Sequence, residues 1–148
     1  MSAPVTDTFD SSAQHPPPAA LITYTHWIYG LHACAVATGV LTGASIAGRF
    51  VFGLPSIIAV IMNYARRADA RGTWLEAHFS WQIRTFWFAL LWICVTLLVA
   101  APLTLILIGV YVAIAGFGLV GLWVAYRVAR GWLALREARP ILPAAAPP

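Results

Sequence analysis

At 148 residues the chain has the length of a single domain. Its residues are 61% hydrophobic and only 9% charged, whereas a soluble domain carries about 25% charged residues. A water-facing surface cannot be built from that inventory, and a bilayer is the expected medium. The formal charge of +4 rests on nine arginines and no lysine; because these lie at the ends of apolar runs, headgroups and topology explain them better than nucleic acid does.

Residues 1–20 contain no Lys or Arg and close with the block Pro16-Pro17-Pro18, so they read as a disordered tail, not a signal peptide. Leu21–Gly48 follows, free of charge and long enough for one span. It carries His26 beside Trp27, with His32 two turns deeper. Its small residues Ala35, Gly39, Gly43 and Ala47 recur every fourth position, a groove against which another helix can pack. Cys34 here, and Cys94 later, have no ligand-like spacing and read as small hydrophobes.

Phe50–Ala65 is shorter, about 24 Å as a helix, and Gly53-Leu54-Pro55 breaks its start. A re-entrant segment would suit that length, but charge placement favours a span. Arg66, Arg67 and Arg71 follow it, and Arg127, Arg130, Arg136 and Arg139 follow the last apolar run, while the 102–104 turn carries no charge. The positive-inside rule then puts the 66–84 loop and both termini in the cytoplasm.

The stretch "GTWLEAHFSWQIRTFW" at 72–87 is the polar entry to the third helix. Thr73 followed three residues later by Glu76 forms a capping box: Thr73 accepts from the Glu76 amide and the Glu76 carboxylate reaches back. His78 and Gln82, one turn apart, are candidate docking groups towards the second helix or a partner, as is His32 from the first. Thr85–Tyr126 would make a helix of about 63 Å, twice the hydrocarbon core, so it must fold back, and Pro102 is the natural hairpin point. Gly109, Ala113, Gly121 and Ala125 form a second stripe of small residues. Most tryptophans fall near span ends, as an interfacial belt requires.

These elements predict an all-α membrane protein: a four-transmembrane-helix bundle occupying 21–139, with spans near 23–47, 50–65, 84–101 and 105–126 and an interfacial helix entry before the third. A Pro/Ala-rich tail, 140–148, follows. No paired carboxylates, Ser/His/Asp set or phosphate loop is present in the membrane region, so no catalytic, cofactor or metal residue is assigned. Arg66, Arg67, Arg71, Arg84, Arg127 and Arg130 are candidate contacts for anionic headgroups or a membrane-protein partner, including a second copy. A structural, assembly or accessory role is expected. The alternatives are a small channel or carrier lined by the second helix and His32, and, last, a haem-binding subunit using histidines from two helices.

Three segments, "FGLPSIIAVIMNYARR" (52–67), "GTWLEAHFSWQIRTFWFALLW" (72–92) and "YRVARGWLALREARPI" (126–141), carry a resemblance. They resemble a family of small multi-pass bacterial membrane proteins of unknown function, grouped with the Tic20-like chloroplast import component and the MamF and MmsF magnetosome proteins. The resemblance covers most of 24–141. The family's recurring positions fall on Pro55, on Glu76, His78 and Gln82, and on Tyr126, Arg127, Gly131 and Pro140. It implies a four-helix protein of the bacterial inner membrane and no activity. The acidic surface that mineral binding would need is missing, so the magnetosome role does not carry over.

Overall fold

The computed structural model describes residues 15–41 and 46–141, with side chains placed outside 40–52. Within them the chain is helix and turn: α1 Ala19–Leu41, α2 Ile46–Arg66, α3 Leu75–Leu103 and α4 Ile108–Arg136. The readings of 1–14 and 142–148 as tails, and the Gly43 and Ala47 side chains of the small-residue stripe, fall outside the described residues. α1 starts directly behind Pro16–Pro18, with the Leu21 amide donating to the Pro18 carbonyl at 2.9 Å.

Three boundaries differ from the sequence expectation. Ile46 and Ala47, expected at the end of the first span, belong to α2. α2 is longer than the charge-free block 50–65, because arginines delimited that block and an arginine does not stop a helix. It runs 21 residues through Pro55, which the chain accommodates inside the helix. That is about 31 Å, the thickness of a hydrocarbon core. The hairpin does not form at Pro102 either, since α3 carries that residue in its last turn. Reversal comes at a 3-10 turn, Thr104–Ile106, closed by Leu107 in the left-handed region at φ 63°.

Gly109 makes this tight reversal fit. A Cβ there would run into the Ala100 carbonyl and the Thr104 amide, both backbone atoms that cannot swing aside. Gly116 receives the Thr96 side chain of α3 in the same way. Both of these close approaches bring α4 against α3 and its following turn. Gly39 and Gly121, from the two predicted stripes, face open space.

α1 packs on α2 and α4, and α3 packs on α4 and α2, so α1 and α3 face each other across the diagonal. Hydrogen bonds show which ends meet. The Tyr24 hydroxyl donates to the Met62 carbonyl (3.1 Å), the Trp132 indole to His26 Nδ1 (3.0 Å) and the Trp87 indole to the Tyr64 hydroxyl (3.0 Å). The starts of α1 and α3 and the ends of α2 and α4 thus share one end, called the base below.

Burial is concentrated there. Leu21, Ile28, Tyr29, Ala59, Ala70, Leu75, Phe79, Val128 and Leu135 form one core cluster, whereas between Phe86 and Arg127 only Ala100 and Gly109 are buried. The far half of the α3–α4 hairpin turns its apolar side chains outward, reaching 77% exposure at Leu98 and 90% at Leu105. Both α3, with its following turn, and α4 are long and apolar enough to cross a membrane.

Candidate functional site

The polar groups of the base are built up from the loop before α3. Gly72 takes a positive φ of 72°, and the Thr73 hydroxyl donates to the Ala70 carbonyl at 2.7 Å while accepting from the Leu75 amide at 3.3 Å. The Glu76 carboxylate accepts from the Gly72 amide at 3.1 Å, and the Glu76 amide bonds the Thr73 backbone carbonyl, not its hydroxyl. Thr73 and Glu76 both satisfy amides at this helix start, each one position away from the reciprocal box expected of them. The anion at the first turn also suits the helix dipole.

One turn into α3, His78 is fully buried at the centre of the base. Its Nε2 lies 2.9 Å from the Arg139 carbonyl and its Nδ1 lies 3.1 Å from the Tyr29 hydroxyl. A carbonyl can only accept, so Nε2 carries the proton, and the Tyr29 O–H donates to the bare Nδ1. The neutral ring is then fully satisfied. It ties α1, α3 and the segment after α4 together across the diagonal, with the Tyr29 and Trp74 rings edge-on to it.

Two backbone features deliver the partners. Gly131 is buried against the Tyr29 ring, and a Cβ there would lie 2.5 Å from the hydroxyl oxygen. After α4, the Arg139 amide bonds the Ala134 carbonyl and the Ala138 amide bonds Leu135, with Ala138 at φ 51°. This is a Schellman turn with alanine in the position usually held by glycine. It folds residues 139–141 back over the base, where Ile141 is buried.

Burial pushes the His78 pKa below its ordinary 6.5; the nearby His26 acts in the same direction, and the Arg139 carbonyl bond opposes them. Gln82, one turn further along α3, is 2% exposed and neither amide atom is hydrogen-bonded among the described residues, although the group approaches the Tyr29 hydroxyl. His32 Nε2 and Asn63 Oδ1 are buried and unpaired likewise. The docking groups predicted from the sequence are therefore all interior, but only His78 has found its partners. Those partners belong to α1 and the C-terminal segment, not to α2.

The arginines divide by environment. Arg66 pairs with Asp69 at 2.9 Å on the exposed rim, and Arg67, Arg71, Arg84 and Arg130 are exposed. Arg127 is different. Its guanidinium lies 3.6 Å above the Trp81 ring and 5.0 Å from Trp123, and its Nε donates to the Thr85 hydroxyl at 2.7 Å. Thr85 donates onward to the Trp81 carbonyl (2.7 Å), and the Trp81 indole N–H donates to the Arg127 carbonyl (3.2 Å).

Sequence reading assigned Trp81 and Trp123 to the interfacial belt and gave Thr85 no role. The spacing of Trp123 and Arg127, four apart on one helix face, is the signal that would have paired them. Arg127 and Arg84 line one cavity of about 480 Å³ between the start of α3 and the segment after α4. Among the described residues, no group of three or more His, Cys, Asp or Glu side chains is placed to hold a metal ion.

No protein-family model, curated protein or solved structure matches the chain.

Proposed function

We propose that this chain is a multi-pass integral membrane protein of the bacterial inner membrane. On this reading all four helices span, both termini are cytoplasmic, and the protein has a structural, assembly or accessory role without catalysis. The observation that carries the reading is the inversion of burial along α3 and α4. Packed polar side chains fill the base, and the apolar far half points outward. In water such a surface aggregates; in lipid it is solvated.

Charge supports the same orientation. Eight arginines, from Arg66 to Arg139, share the loop and helix ends of the base with three carboxylates, Asp69, Glu76 and Glu137, an excess that favours the cytoplasmic leaflet. The non-catalytic reading is supported by the buried polar set. In it both His78 nitrogens are occupied by structural bonds. The resemblance to the Tic20-like family points the same way.

Alkaline carbonate extraction of membranes expressing the full chain tests the proposal. The protein is expected in the pellet with integral markers; recovery in the supernatant would overturn it.

A further inference from the structure

We propose that the cavity between Arg84 and Arg127 is a phosphate-recognition site, filled by the headgroup of an anionic phospholipid or by a free phosphate. The lipid source rests on the membrane reading above; the site's chemistry does not.

Three observations converge. First, Arg127 is held in place before any ligand arrives. Trp81 lies under its guanidinium, Thr85 takes its Nε, and the indole of Trp81 returns a bond to its own carbonyl. The terminal N–H groups are left without a hydrogen-bond partner among the described residues, and they are the pair that grips two phosphate oxygens. A pre-ordered side chain loses little entropy on binding.

Second, Arg84 lines the same cavity, close enough to Arg127 for the two like charges to repel, and makes no ion pair or hydrogen bond among the described residues. Two unpaired cations facing one space attract an anion, and an anion between them removes the repulsion. The carboxylate in the lining, Glu76, is turned to the Gly72 amide and stabilises the helix start. Third, the lining matches the amphipathic character of a lipid headgroup region. Ser80 adds a hydroxyl beside the arginines, and Phe88 supplies an apolar wall leading up α3.

Arg66 lacks this construction. It is already neutralised by Asp69 and belongs to no such cavity.

The test uses the full chain, purified in detergent and mixed with equal amounts of phosphatidylglycerol and phosphatidylcholine; lipid retained after exchange is quantified by mass spectrometry. Wild-type protein should enrich phosphatidylglycerol, and Arg84→Gln should cut that enrichment about fivefold, the worth of one basic residue at a charged surface. Because Arg84 bonds nothing, its variant keeps the fold, which an unchanged melting transition verifies. The double variant Arg66→Gln/Arg67→Gln should enrich as the wild type does.

A second arm supplies phosphatidylcholine alone and titrates inorganic phosphate against the melting temperature. A rise in wild type that is absent in Arg84→Gln, without phosphatidylglycerol enrichment, identifies a soluble phosphate as the occupant. Three results overturn the site: full enrichment in Arg84→Gln, an equal loss in the Arg66/Arg67 variant, or no response in either arm. A phosphate response in protein that carbonate strips from membranes would leave the site standing and remove the membrane reading.

Discussion

Tyr29, His78 and Gly131 form a unit in which each residue makes the next one necessary. The tyrosine ring needs a position without a Cβ, and among the described residues its hydroxyl supplies the donor to the imidazole's bare nitrogen. Gly131→Ala is therefore expected to lower stability by about 1–3 kcal/mol, the usual cost of overpacking. Gly121→Ala, which meets open space, should leave the melting temperature unchanged or higher. Tyr29→Phe keeps the ring but strands Nδ1, for a loss of about 1–3 kcal/mol.

His78 lies outside the 84–101 segment and also predicts a pH dependence. Its folded pKa is depressed, so its stabilising contribution is complete above 6.5. As pH falls below that value the unfolded chain takes up a proton that the folded chain refuses, and stability declines. Thermal unfolding between pH 7.5 and 5 should show this decline, and His78→Gln should make it shallower. Histidine at 78 was legible from the sequence as a docking group. Its acceptor, a backbone carbonyl at 139, was not, because every residue carries one and nothing in the side-chain pattern marks that one.

At the scale of elements, the α3–α4 hairpin shows what patterning can and cannot specify. A charge-free run twice the bilayer thickness had to reverse, and that much followed from length. The reversal point is set instead by local geometry: α3 tolerates Pro102 in its last turn, and the chain turns where Gly109 permits backbone contact. Gly109→Ala should destabilise the hairpin by about 1–3 kcal/mol, since backbone atoms must move. Gly118→Ala, with nothing near its Cβ, should be neutral or stabilise by up to about 1 kcal/mol, the helix propensity difference. Urea or thermal unfolding of the two variants in one detergent makes the comparison. Similarly, the arginine cluster was visible in the sequence as a set. Which arginine becomes rigid depended on Trp81 and Thr85 arriving from α3, a tertiary coincidence.

For the whole molecule, the four-span proposal predicts that the shared base and the turn after α3 lie on opposite sides of the membrane. With Cys34 and Cys94 replaced by alanine, single cysteines at Ala68 and at Leu105 should react from opposite sides of the membrane. An impermeant maleimide added to intact spheroplasts should label the Leu105→Cys variant alone and reach Ala68→Cys only after lysis. Labelling of both variants in intact cells would contradict the four-span arrangement.

The turn at Ala138 also has a consequence for the order of assembly. The histidine at 78 is made long before its carbonyl partner at 139, and Tyr29 must wait for Gly131 before it has a seat. When the first three helices have been made, Tyr29 and His78 can already pair with each other, but the imidazole Nε2 still lacks its carbonyl. The segment after α4 thus completes the base last, and a chain without it leaves the buried His78 Nε2 without its acceptor.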